Sequence, residues 1–200
     1  MKPPASTTIL GIETSCDETA AAVLDGEGHV LANVISSQQT VHERFGGVVP
    51  ELASRAHIQN VDHVTRQALD AAGLTWQDLG AIAVTQGPGL AGALLVGISY
   101  AKSLAYALGI PLVGVSHLEG HIASAWIDRP SFPRTCVVLI ASGGHTHLFH
   151  ATEHGGFHLM GRTIDDAAGE AFDKGAQMLG LGYPGGPLID AAARKGSPAA

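Results

Sequence analysis

T-T-I-L-G-I-E-T-S-C-D-E-T-A-A-A-V-L-D-G-E-G-H-V-L-A-N-V-I, residues 7–35, sets the reading of this chain. Thr7–Ile12 is a short β-branched, largely apolar run of the kind that forms a buried strand, and it ends in a polar loop, Glu13–Thr19, rich in hydroxyls and carboxylates. Ala20–Leu24 resumes apolar character, Asp25-Gly26-Glu27-Gly28 is a hairpin-type turn, and His29–Ile35 is a third strand. The stretch therefore predicts a three-stranded meander with a polar loop between its first two strands. The same order returns later in the chain. Cys136–Ala141 is a buried strand, Ser142–Thr146 a tight polar loop, His147–Ala151 a second strand, and Phe157–Gly161 a third after a Gly155-Gly156 turn. Plain hairpin turns are the simpler reading of the two loops, but polar residues set inside apolar strand pairs weigh against it.

Working outward, Met1–Ser6 is a loose leader, and Ser36–Gly47 is a linker into a helix over about Pro50–Ala72. Pro50 suits the first turn of that helix and Gly73 its C-terminal cap, with Val61, Val64, Ala68 and Ala71 on the face that packs on the sheet. Thr75 and Asp78 predict a capped turn before a strand over Ala81–Thr85. After Gly87-Pro88-Gly89 comes a helix over about Leu90–Leu108, apolar nearly all round and so expected to be deeply buried. Leu112–Val115 is a strand that delivers His117 at its carboxyl end, where ligands of open α/β sheets sit. Arg129–Arg134 is a linker, which divides the chain into lobes at 1–130 and 131–200. Helices over about Asp165–Leu179 and Leu188–Arg194 complete it.

Two histidines stand four residues apart in V-S-H-L-E-G-H-I-A-S, residues 115–124. On a helix, His117 and His121 share one face, one turn apart, and form half of a site for Zn²⁺ or Fe²⁺; ordinary histidine use is the alternative. The other histidines, His29, His42, His57, His63, His147, His150, His154 and His158, lack such spacing and read as surface residues.

With 46% hydrophobic residues in a 200-residue chain there is enough apolar material for a sizeable core. A net charge of −7 with only 11 Lys and Arg leaves no basic run to grip nucleic acid, so an RNA substrate needs a partner or a local patch. Cys16 and Cys136 are far apart, no signal-peptide pattern is present, and the longest apolar run is too short to span a bilayer, which together predict a reduced, cytoplasmic protein with no membrane role.

Two meanders with polar loops describe the sugar-kinase, Hsp70 and actin architecture, an α/β fold of duplicated lobes whose loop amides hold phosphates. Six motifs in order then resemble the bacterial TsaD/Gcp family: Gly11–Thr19, Gly46–His57, His117–His121, Ser142–Thr146, Asp165–Lys174 and Tyr183–Pro187. The resemblance covers nearly the whole chain. It implies the actin-like fold and transfer of a threonylcarbamoyl group from threonylcarbamoyl-adenylate to N6 of adenosine 37 in tRNAs that read codons beginning with A. It also implies a dimerising TsaB-like paralogue and a TsaE-like ATPase as partners.

Residue by residue, His117 and His121 match the family's metal ligands, and Ile140, Ala141, Ser142, Gly143 and Gly144 match its adenylate-binding loop. Asp173, Gly186 and Asp190 match further substrate contacts, although solvated helix carboxylates are the plain alternative for the two aspartates. One Fe²⁺ or Zn²⁺ is implied, with Mg²⁺ accompanying adenine nucleotide; no general base is assigned. The family's chains are longer and carry a third ligand, an aspartate near the C-terminus, with no counterpart before Ala200. The second lobe is thus expected to be incomplete, to expose apolar sheet surface and to promote self-association or dependence on a partner, and transfer by this chain alone is expected to be very slow or absent.

Two other classes share parts of this pattern. A small-molecule kinase of the same fold would use the phosphate loops without the His117–His121 pair, and a non-catalytic assembly subunit would need neither. A metalloprotease is excluded by chemistry, since H-E-x-x-H places its glutamate directly after the first histidine, whereas Glu119 lies two residues on from His117.

Overall fold

A computed structural model describes residues 8–127, 129, 131–153 and 155–197; the expected leader Met1–Ser6 lies outside them, as does His154. The chain divides into two compact units, Met1–His42 with Val48–Pro130, and Glu43–Gly47 with Ser131–Ala200.

The first unit is a five-stranded sheet covered by helices on one face. β1 (Thr8–Glu13), β2 (Glu18–Leu24) and β3 (Val30–Ser37) form the antiparallel meander, and β4 (Leu79–Gly87) and β5 (Leu112–Ser116) add to β1 in parallel, in the order β3-β2-β1-β4-β5. Alternation decides which side is buried: Leu10 and Ile12, Ala21 and Val23, and Ile82 and Val84 all point into the core. Against that face lie α2 (Pro50–Ala72) and α3 (Ala91–Leu108), while a short α1 (Gln39–His42) precedes α2 and α4 (His117–Ala123) follows β5.

Helix α2 starts with Pro50 in its first turn and stops at Gly73, whose φ of 68° lets its own N–H reach the Asp70 carbonyl and the Leu74 N–H reach that of Leu69. The Thr75–Asp78 capping box is present before β4. Three expectations need correction. Residues 36–47 are not a bare linker, because α1 and a 3₁₀ turn at Glu43–Phe45 fill it, with Gln38 and His42 buried at its centre. Ala71 is exposed; at 100° per residue the stripe through Val61, Val64 and Ala68 returns at Ala72.

The third correction concerns α3, which is not buried all round. It sinks only the small-residue row Ala93, Gly97, Ala101 and Ala105, while Leu95 is 64% exposed and Tyr106 90%. Its 18 residues are also long and apolar enough by length and composition to cross a membrane, unlike the expectation from apolar runs alone. Its packing against β4 and α2 makes it a core helix of this unit.

The second unit repeats the meander as β6 (Cys136–Ala141), β7 (Thr146–Ala151) and β8 (Phe157–Arg162), antiparallel in that order, followed by α5 (Ala168–Met178) and α6 (Gly185–Ala193). Helix α5 begins three residues later than expected because the Thr146 hydroxyl on β7 accepts the Ala168 N–H at 2.7 Å, so a tertiary contact sets the start. Helix α6 begins earlier, at Gly185, whose N–H is taken by Asp173 of α5 at 2.7 Å.

Candidate functional site

β5 ends at Ser116, the cap residue of α4, and the chain turns directly into His117. One turn later His121 brings its Nε2 to 3.1 Å from the Nε2 of His117, the rings edge-on at 82°. The other nitrogen of His117, Nδ1, lies 3.2 Å from Glu13 Oε2 and 3.1 Å from Ser15 Oγ. A carboxylate only accepts, so Nδ1 carries the proton and Nε2 presents its lone pair toward His121. Two nitrogens at about 2.1 Å from one cation, subtending roughly 100°, stand about 3.2 Å apart. The pair therefore fits a divalent ion as half of its coordination shell. Among the described residues, no group of three or more His, Cys, Asp or Glu side chains could hold a metal.

Glu13 was not singled out from the sequence, and it organises this corner. Burial opposes its ionisation, yet hydrogen bonds from His117, Ser15 and Thr85 outweigh that and hold its carboxyl down at about 2. Thr85 Oγ1 donates to Oε2 at 2.6 Å, and the Ser15 amide donates to Oε1. The signal was a carboxylate at the end of a buried strand, where solvation alone would not place one. His121 is shifted down, by desolvation and then by the neighbouring charge of His117, which keeps its lone pair available. Cys16 is pushed up to about 12 by burial and by the charges of Asp17 and Glu13, so this thiol is no nucleophile at neutral pH.

The turn carrying Ser15 is held from several sides. Thr14 donates to the Ala93 carbonyl at 2.9 Å and sits directly over Gly97, where a Cβ would strike its hydroxyl. The Leu90 N–H reaches the Ser15 carbonyl at 2.8 Å, and a Cβ on Gly89 would lie 2.6 Å from that same oxygen. The Gln38 N–H takes the Asp17 carbonyl at 2.9 Å, and His57 Nε2 takes that of Cys16 at 2.9 Å. His57 and His42, expected on the surface, are each 0% exposed. They are buried because hydrogen bonds to Thr19, Gln38, Cys16 and Val49 satisfy both rings. His29, His63 and His158 are exposed; His147 and His150 are half-buried, and His147 Nδ1 has no hydrogen-bond partner among the described residues.

In the second unit, the Ser142–His145 loop closes on itself, with the Ser142 N–H on the His145 carbonyl at 2.8 Å and the His145 N–H on Ser142 Oγ at 3.1 Å. Ile140 is buried in β6, whereas Ala141, Gly143 and Gly144 are exposed, and the space where a Cβ would stand on either glycine is open. Gly169 at the start of α5 abuts the loop so closely that a Cβ would lie 2.6 Å from the Ser142 carbonyl. Asp173 is half-buried on the Gly185 amide, Gly186 is half-buried, and exposed Asp190 pairs with Arg194 at 2.8 Å. Two concavities, of about 300 and 230 Å³, lie around Arg66 and Trp76 and share no residue with either region.

A family model described as "TsaD: tRNA N6-adenosine threonylcarbamoyltransferase" matches residues 29–200. The chain belongs to the TsaD family. Curated relatives of that description include one from Clostridium perfringens (strain 13 / Type A), 57% identical over 189 residues, covering 94% of this chain and 56% of the relative. Another, from Moorella thermoacetica, is 57% identical over 194 residues and covers 97% of this chain and 57% of its own. The chain thus spans a little over half the length of these TsaD relatives. Among solved structures, YeaZ from Pseudomonas aeruginosa superposes with a TM-score of 0.54 at 22% identity, covering 81% of this chain and 72% of that one. EutJ from Carboxydothermus hydrogenoformans gives 0.53 at 17%, covering 92% and 60%. At such identities the likeness speaks for the fold, which is the actin-like α/β class.

Proposed function

We propose that this chain serves the transfer of a threonylcarbamoyl group from threonylcarbamoyl-adenylate to N6 of adenosine 37 in tRNAs reading codons that begin with A. The observation that carries the reading is the pair of imidazole nitrogens 3.1 Å apart, one of them oriented by a carboxylate, in a chain of the TsaD family. An assembly subunit or a small-molecule kinase has no use for that pair.

His117 and His121 would hold one divalent ion, Fe²⁺ or Zn²⁺, with Glu13 keeping the proton on Nδ1 of His117. When bound, the ion supplies Lewis acidity to carbonyl or phosphate oxygens. The Ile140–Gly144 loop takes the adenylate, its exposed glycines allowing an anion close to the backbone. Asp173 spends one carboxylate oxygen on the Gly185 amide and has the other for a ribose hydroxyl; Asp190 would exchange its surface pair with Arg194 for the same purpose. Gly186 lies at the first turn of α6, and Mg²⁺ accompanies adenine nucleotide.

A chain of net charge −7 is poorly suited to gripping tRNA alone, which favours work beside a TsaB-like paralogue and a TsaE-like ATPase. Free thiols at Cys16 and Cys136 suit a reducing cytoplasm. The test is nucleoside mass analysis of tRNA incubated with the chain, both partners and threonylcarbamoyl-adenylate. Threonylcarbamoyladenosine should form only slowly with the wild type and fall at least tenfold further with His121→Ala, about 1.4 kcal/mol. Equal modification by the two proteins would reject the role given to the histidine pair.

A further inference from the structure

Among the polar side chains of the first unit that are almost inaccessible to solvent, His42 and His57 are 0%, Thr19 1% and Gln38 2% exposed, and these four are joined to one another. Unpaired, such groups cost about 1–3 kcal/mol each, and apolar side chains would fill the space without that risk. Their hydrogen bonds run in one direction. The Val49 N–H donates to His42 Nδ1 at 3.2 Å, so His42 Nε2 carries its proton and gives it to Gln38 Oε1, also at 3.2 Å. Gln38 Nε2 and the Thr19 hydroxyl then donate to His57 Nδ1, at 3.3 and 2.7 Å. His57 Nε2 is left as a donor, and it ends the series on the Cys16 carbonyl.

The series therefore terminates on the turn between β1 and β2. The neighbouring carbonyls of Ser15 and Asp17 are held by backbone amides, which no substitution other than proline removes; that of Cys16 is held by a side chain. The same turn keeps Ser15 Oγ, and with it Glu13, against His117 Nδ1.

We propose that His57 is a positioning residue for the His117–His121 pair: by anchoring the Cys16 carbonyl it holds the turn that keeps Glu13 and Ser15 on His117. This rests on the metal reading of that pair. Removal of the anchor frees the turn, relaxes the hydrogen bond that fixes the proton on Nδ1, and leaves the Nε2 lone pair no longer aimed at His121. Outer partners of metal-binding histidines typically alter affinity by about 10- to 100-fold.

The experiment uses the full chain with ¹⁵N-labelled histidine, free of metal, and reads the His117 tautomer from long-range ¹H–¹⁵N correlations at neutral pH. Wild type should show Nδ1–H with a bare Nε2. His57→Leu should show mixed tautomers, and His57→Gln, whose amide can still donate to Cys16, should restore the wild-type pattern. Co²⁺ titration of the same proteins should show affinity about tenfold weaker for His57→Leu and recovered in His57→Gln. If folded His57→Leu keeps His117 as Nδ1–H with unchanged Co²⁺ affinity, the proposal is overturned. Should His57→Leu fail to fold, Thr19→Val, nearly isosteric and lacking the donor to Nδ1, is judged by the same two outcomes. A wild type that takes up no Co²⁺ would sink the metal reading alone, since the tautomer measurement still decides whether His57 positions His117.

Discussion

Burial and hydrogen bonding pull Glu13 in opposite directions, and the bonds win, leaving its carboxyl at about 2. The folded protein gives up this proton more readily than the unfolded chain, whose value is near 4.5, so the stabilisation is full above that pH and disappears as pH falls toward 2. His57 adds a second acid-sensitive step at higher pH. Desolvation lowers it from 6.5, so above 6.5 both states carry it neutral, and below 6.5 the unfolded chain binds a proton that the folded one resists. Stability should therefore decline as pH drops through 6.5. Urea midpoints at pH 8 and pH 5.5 are expected to differ for the wild type and to differ by less in His57→Gln, where only the lowered His121 is left to contribute; an equal drop in that variant would clear His57 of the effect. Neither residue's role was visible along the chain. Glu13 and His117 are 104 positions apart, and Thr19, Gln38, His42 and His57 meet only once β2, α1 and α2 are folded together.

Elements fared differently, because their signals are local. Short apolar runs bounded by glycine and polar turns located the strands, and Pro50 with Gly73 bounded α2 at the residues observed. Helix α3 misled by composition: apolar nearly all round, it hides its instruction in side-chain size, with Ala93, Gly97, Ala101 and Ala105 spaced by four so that the small row is fully buried while Val96, Ile98 and Leu104 pack partly buried beside it. The Ser142–His145 loop allows a prediction at this scale, since two nearby glycines face opposite surroundings. Gly144 has open space where a Cβ would stand, whereas Gly169 has the Ser142 carbonyl at 2.6 Å. Gly144→Val should fold like the wild type and bind adenine nucleotide at least tenfold more weakly, about 1.4 kcal/mol, by calorimetry. Gly169→Val should lose stability by about 1–3 kcal/mol through overpacking. Unchanged nucleotide affinity in Gly144→Val would show that the loop does not receive the ligand.

For the molecule as a whole, the duplicated meander was legible because each copy is a short, self-contained pattern, and the actin-like class follows from the pair. Exposure of apolar side chains was expected from the sequence and is observed in the second unit, where Val137 is 60% exposed, Leu139 65% and Met160 58%. Such a surface favours association. Sedimentation should show concentration-dependent self-association that Val137→Lys with Leu139→Lys suppresses, and a strictly monomeric wild type would contradict it. The His117–His121 pair is the centre of the proposed site, and competition between the chain and a chromophoric chelator for Zn²⁺ addresses it directly. One Zn²⁺ per chain is predicted for the wild type, lost in His117→Ala and in His121→Ala while both stay folded; the same stoichiometry and affinity in all three proteins would contradict it.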